Sequence, residues 1–290
     1  MKLGMHYIYW QHDLKCTSYE PYVRKAKELG FDAMEMGDYL ILRLTENELD
    51  RLHRMSKEYE VELTLGIDPP QEIALTSFDE EARKQGIQFY VDLMPKLHRL
   101  GVKCLGGNML NGTPVLPYKD HCEKELELGA DSLKQIVKCA AAYGIYVNLE
   151  VTNRFENHLV NLASEGVKIV ERVNEPNFGL LLDTFHMNIE ERSIGLAIRT
   201  AGTHLGHFHI GENNRALPGQ GHLDWKEITD ALKDINYGGI LVMEPLVHAK
   251  CELGDCCRVW NDLTGFADEK RLDEEAAKAE RFMRSFEQAE

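Results

Sequence analysis

Four side chains able to bind a divalent cation stand where four successive apolar runs end in the second half of the chain. They are Glu150 after Tyr146-Val-Asn-Leu, Asp183 after Leu180-Leu-Leu, His209 within His207-Phe-His-Ile, and Glu244 after Ile240-Leu-Val-Met. Three carboxylates and one imidazole favour manganese, cobalt or magnesium over a thiolate-bound zinc, although zinc also accepts these ligand types. More polar groups follow closely. Glu156, on the segment after Glu150, can accept from substrate hydroxyls or serve as a surface or capping acid. His186 lies three residues past Asp183 and can reach the same place. Arg215 sits in the glycine-rich stretch Gly211 to Gly221, and its fixed fork suits a polyol oxygen or a carboxylate. The Gly219-Gln-Gly221 pair lacks the spacing of a dinucleotide fingerprint, so a phosphate cradle is the weaker reading.

These residues converge only if the runs that carry them are parallel strands of one barrel, with the four ligands at its C-terminal mouth. Short β-type runs alternate with longer amphipathic stretches from end to end, the pattern of βα units. The strand candidates are Leu3 to Tyr9, Ala33 to Met36, Glu62 to Gly66, Lys103 to Gly106, Tyr146 to Glu150, Gly179 to Asp183, Leu205 to His209 and Ile240 to Glu244. The helical stretches are Tyr19 to Leu29, Glu46 to Tyr59, Glu80 to Leu100, Glu125 to Tyr143, Ser164 to Val173, Ile189 to Ala201, Trp225 to Ile235 and a closing Glu269 to Glu287. Several helices stop at a glycine that leads straight into a strand, as in Leu29-Gly-Phe, Leu100-Gly-Val and Tyr143-Gly-Ile, which predicts left-handed C-caps. No Pro/Ser/Gly-rich linker divides the 290 residues, so the expected architecture is α/β, a single (β/α)8 TIM barrel over residues 1–290 with a C-terminal helix. The segments Asp68 to Phe78 and Asn108 to Cys122 fall on the face where such barrels build pockets.

Composition narrows the function class. Asp plus Glu outnumber Lys plus Arg by 48 to 33, a net charge of −15, and no local basic patch offsets it. That field repels polyanions and argues against nucleic acid as partner. No apolar run approaches the roughly 20 residues that span a bilayer, and the amino terminus lacks a signal-peptide core, so the expected location is cytoplasmic. The seven cysteines are scattered without a CxxC pair and read as reduced thiols; the group Cys251, Cys256 and Cys257 is a weaker candidate for a soft metal.

Taken together, the motifs resemble the ketose 3-epimerases, the D-tagatose 3-epimerase and D-psicose (D-allulose) 3-epimerase family. The likeness is densest from Leu149 to Glu244. It runs through Leu-Glu150-x-x-Asn-Arg-Phe-Glu156-Asn, Leu-Asp183-Thr-Phe-His186-Met-Asn-Ile-Glu-Glu, Ser193-Ile-Gly-x-Ala-Ile-Arg-Thr-Ala-Gly, Gly206-His-x-His209-x-Gly-Glu-x-Asn-Arg215 and Val242-Met-Glu244-Pro. It extends to Tyr9-Trp10, Leu29-Gly-Phe-Asp-x-x-Glu35, Gly106-Gly107, Val259-Trp260 and Ala267-Asp-Glu-Lys. The resemblance implies a Mn2+ or Co2+ site, with Mg2+ as a further option, at Glu150, Asp183, His209 and Glu244. It implies that Glu156, His186 and Arg215 hold a monosaccharide near C1 to C3, and that Glu150 and Glu244 exchange a proton at C3 through a cis-enediolate. It also implies a homodimer or homotetramer; Trp260, Phe266 and the C-terminal helix either form that interface or close the barrel.

Three departures cluster in the first half. His6 stands where the family has an aromatic residue, Gly66-Ile67-Asp68-Pro69 where it has a Gly-His-Gly-Pro type segment, and Asn111-Gly112-Thr113-Pro114 where a tryptophan precedes the proline. By resemblance His6, Ile67 and Thr113 line the far end of the sugar pocket, C4 to C6. The alternative activity is a lyase or dehydratase acting on a keto-sugar or oxidised glycoside, which shares the first proton abstraction and differs in what leaves. An endonuclease of the same barrel type would need more histidines and a basic face, and a non-catalytic barrel would lack a ligand or base.

Overall fold

Eight parallel strands close into a barrel in the order β1 to β8 in the computed structural model, which describes residues 1–110 and 122–288. They are β1 (Lys2–His6), β2 (Ala33–Gly37), β3 (Glu62–Ile67), β4 (Cys104–Gly107), β5 (Tyr146–Val151), β6 (Phe178–Asp183), β7 (Leu205–Ile210) and β8 (Ile240–Met243). Between and after them run α1 (Glu20–Glu28), α2 (Asp38–Ile41), α3 (Glu46–Tyr59), α4 (Glu80–Leu100), α5 (Cys122–Ala142), α6 (Ala163–Val173), α7 (Thr184–Glu190), α8 (Ile194–Ala201), α9 (Trp225–Asp234), α10 (Glu252–Cys256) and α11 (Glu269–Gln288). All eight strand candidates become strands, and the (β/α)8 expectation holds.

Strand alternation sorts the side chains. On β5, Val147, Leu149 and Val151 are buried among the helices, while the intervening Asn148 and Glu150 face the barrel interior. The same outward set recurs as Met34 and Met36, Leu63 and Leu65, Leu180 and Leu182, Phe208 and Ile210, and Leu241 and Met243, all buried. Each large apolar side chain removed from water contributes roughly 1.5–3 kcal/mol, so this shell between sheet and helices carries most of the stabilisation.

Local signals set the helix ends. Thr45 and Glu48 form a capping box at the start of α3, and the Asp79 carboxylate accepts from Glu81 N at 2.9 Å to start α4. Gly30, Gly101 and Gly144 have φ of 92°, 76° and 66°, the left-handed turns expected of them.

Two stretches depart from the sequence reading. The run read as a strand to Tyr9 leaves the sheet at His6, whose Nδ1 accepts from Ile8 N at 3.3 Å and starts a 3-10 turn over Tyr7–Trp10. The single helix expected from Ile189 to Ala201 is two. Asp183 caps α7 by accepting from Phe185 N at 2.7 Å, Glu191 is extended, and Ser193 caps α8 by accepting from Leu196 N at 3.1 Å. Two competent caps so close together break the periodicity.

Candidate metal and substrate site

The four sequence-predicted ligands meet. One donor atom from each of Glu150, Asp183, His209 and Glu244 lies within 4.8 Å of every other, at the C-terminal ends of β5, β6, β7 and the residue after β8. His209 Nδ1 is buried and has no hydrogen-bond partner among the described residues, and it faces Glu244 Oε2 at 3.3 Å and Glu150 Oε1 at 3.9 Å. An orphaned buried imidazole nitrogen aimed at carboxylates is costly unless something bonds it, so this donor set fits a hard or borderline divalent cation.

Arg215 enters the cluster from the loop after β7. Its Nη1 donates to Asp183 Oδ2 at 2.6 Å and Glu244 Oε2 at 2.9 Å, and the guanidinium lies 4.3 Å over the Phe185 ring. The loop is held by Glu212, 1% exposed, whose carboxylate accepts from Gly219 N and Trp225 Nε1, each at 2.7 Å, and from Leu223 N at 3.2 Å. The Gly219 amide is thus committed to Glu212, which disposes of the phosphate-cradle reading. His186 is held from behind: its Nδ1 accepts from Asn153 N at 3.3 Å and Asn153 Nδ2 at 2.8 Å. Nε2 sits between Arg215 Nη2, a donor at 3.2 Å, and Glu150 Oε1 at 3.5 Å. Asn153 Nδ2 also donates to Glu156 Oε1 at 3.0 Å, so one amide orients both substrate-side candidates.

A cavity of about 270 Å³ opens over these groups. His6, Ile67 and Asp68 line it with Gly37, Asp38 and Asn108 on the side of β1 to β4, facing Glu150, Glu156, His186, His209, Arg215 and Glu244. Thr113 lies outside the described residues. A volume just under the range of drug-sized pockets suits a monosaccharide.

The electrostatics are uneven. Burial pushes the Glu150 carboxyl up from its ordinary value. Burial acts the same way on Glu244, but His209 and Arg215 outweigh it and hold that carboxyl well below the usual range. Burial opposes charge on His209, yet Glu244 and Glu35 draw a proton to it, which a cation in the cage must displace. His6 is pushed down by burial and stays neutral; with Nδ1 accepting from Ile8 N, its Nε2 carries the proton. Asp68 is open to pocket water but enclosed by protein on most sides. Enclosure, then the charges of Glu150 and Glu156, raise its carboxyl to about 7. Desolvation likewise raises Asp38 to about 6.

Beneath the ligands lies a buried layer that sequence reasoning missed. Glu35, 0% exposed on β2, takes the Nε2 of both His207 and His209 at 2.7 Å, and Thr64 Oγ1 donates to it at 2.7 Å. Burial alone would raise its carboxyl, but His209 and His207 hold it well below the ordinary value. Two signals were present in the chain. Glu35 is a lone acid between Met34 and Met36, and His207 shares a strand face with His209.

A model of the xylose isomerase-like TIM barrel family matches residues 23–282. The chain is 42% identical to a D-psicose 3-epimerase of Ruminiclostridium cellulolyticum over 98% of its length and 97% of that protein's. It is 29% identical to an L-ribulose 3-epimerase of Mesorhizobium japonicum, covering 84% and 80% of the two chains. It superimposes on a crystal structure of a D-psicose 3-epimerase with D-tagatose from Clostridium cellulolyticum with a TM-score of 0.95, at 40% identity over 99% of each chain. With this fold and this cluster at the barrel mouth, the chain belongs to the xylose isomerase-like TIM barrels and, within them, to the ketose 3-epimerases.

Proposed function

We propose that this ketose 3-epimerase inverts C3 of a free ketose of the D-fructose, D-psicose or D-tagatose type, with a divalent cation held by Glu150, Asp183, His209 and Glu244. A bound Mn2+, Co2+ or Mg2+ supplies Lewis acidity that stabilises negative charge on the substrate oxygens next to C3. The observation that carries the reading is the pair Glu150 and Glu244, which reach the orphaned His209 Nδ1 from separate strands. One carboxylate removes the C3 proton, and the other returns a proton to the opposite face of the planar cis-enediolate. In the cation-free cage burial pushes Glu150 up while His209 and Arg215 hold Glu244 down, so the two carboxyls are not equivalent. His186 presents Nε2 and Glu156 its carboxylate, so a substrate lying between them keeps its C1 to C3 segment from rotating. Arg215 holds Glu244 anionic.

Among the described residues the cavity wall has five carboxyl groups, at Asp38, Asp68, Glu150, Glu156 and Glu244, against one guanidinium, which favours neutral sugars over phosphorylated or carboxylated ones. The far end of the substrate then meets His6, Ile67 and Asp68. The protein works as a homodimer or homotetramer in the cytoplasm, and the exposed Trp260 and Phe266 are its candidate contact residues.

The test is incubation of the manganese-loaded protein with ketohexoses and ketopentoses in deuterated water. Deuterium at C3 in a product of unchanged connectivity is expected. A product that has lost a substituent would instead establish the lyase or dehydratase. Stripping the cation with a chelator should abolish exchange, and adding back Mn2+ should restore it.

A further inference from the structure

We propose that Glu35 is a positioning residue of the metal centre: accepting His209 Nε2–H from below, it fixes the ring so that Nδ1 is the atom presented to a cation. This rests on the metal reading above and adds a residue to it.

The geometry leaves Glu35 little other work. It lies in the middle of β2, in register with His6 on β1 and Thr64 on β3, too deep in the barrel to meet a substrate. His207 and His209 project from β7 across the interior and converge on its two oxygens, His207 on Oε2 and His209 on Oε1. Thr64 fills a further lone pair on Oε2. A carboxylate only accepts, so each imidazole must bring a hydrogen on Nε2. For a neutral His209 this leaves the lone pair on Nδ1, the atom that faces Glu150 and Glu244 and has no hydrogen-bond partner among the described residues. Metal-binding histidines commonly have the other ring nitrogen anchored in this way, and losing the anchor costs about 10–100-fold in affinity.

The variant Glu35→Gln keeps the shape but turns one acceptor into an amide donor, so the two imidazoles can no longer both donate to the same residue. Manganese affinity is measured by calorimetry on metal-stripped protein, with no substrate present. Wild-type protein should bind one Mn2+ per chain, and E35Q should bind about 10–100-fold more weakly. Unchanged affinity in a folded E35Q would overturn the proposal. Failure of the wild type to bind any cation would sink the metal reading itself, so the two failures are distinguishable. Should E35Q not fold, 15N histidine NMR of the magnesium-loaded wild type decides. A His209 signal with the proton on Nε2 and none on Nδ1 supports the role of Glu35, and the opposite tautomer refutes it.

Discussion

At the scale of single residues, the proposed reaction divides the carboxylates into those that would move protons and those that shape the pocket. Glu150→Gln and Glu244→Gln should each lower C3 deuterium exchange by about 10²–10⁴-fold, read by NMR, because each removes one of the two proton carriers. Asp68 belongs to the second group. Its folded-state carboxyl lies at about 7, against 3.8 for the free residue, so the folded protein favours its protonated form. Ionising it among Glu150, Glu156 and Asp38 destabilises the fold, and that penalty is absent below pH 4, grows as pH rises and is complete above about 7. The Tm advantage of Asp68→Asn over wild type should therefore open between pH 4 and 7 and then level off. A constant difference across that window would count against this environment for Asp68. Asp68→Asn should also change kcat/KM ratios among ketoses more than it changes C3 exchange for the best one.

At the scale of elements, the loop after β7 is the piece on which positioning depends. Glu212→Ala leaves Gly219 N, Trp225 Nε1 and Leu223 N without their acceptor, at a cost of about 1–3 kcal/mol for each one left dry, measurable by urea unfolding. Loosening that loop should raise KM and lower kcat together, since Arg215 is delivered by it. The elements themselves were largely legible: each strand end carrying a ligand was marked by an apolar run stopping at a polar residue. The break between α7 and α8 was hidden because Asp183 is read first as a ligand, while its second role as an N-cap appears only in the backbone. His6 looked like mid-strand sequence because its neighbours Ile8 and Tyr9 are good strand formers, and only its bond to Ile8 N shows the chain turning. Glu35 and His207 are separated by 172 residues, so no local pattern announces their pairing; barrel closure creates it. Asn153 escaped notice for a different reason, since an amide in a polar loop gives no sign that it will orient two neighbours at once.

At the scale of the whole molecule, α11 ties the last part of the chain to the first. Tyr9 Oη donates to Leu272 O at 3.0 Å, Trp10 Nε1 to Asp273 Oδ1 at 2.8 Å, and Arg284 pairs with Asp32 at 2.6 Å. Leu272 and Met283 are buried beneath it. Met283→Ala should cost about 2–5 kcal/mol in urea unfolding while leaving manganese affinity unchanged, because it is a buried residue of α11 that does not line the cavity. Among the described residues no helix is long and apolar enough to cross a membrane. The barrel also divides by sector: the four proposed cation donors and the residues that hold Arg215 and His186 come from β5 to β8, whereas His6, Asp38, Ile67 and Asp68 come from the segments around β1 to β3, with Glu35 on β2 reaching across beneath His209. Inheritance can therefore act on the two sectors separately. On the proposed assignment, a combinatorial library confined to the loops that carry His6, Asp38, Ile67 and Asp68, with Glu35 kept, should change which sugar is accepted while the reaction stays the same.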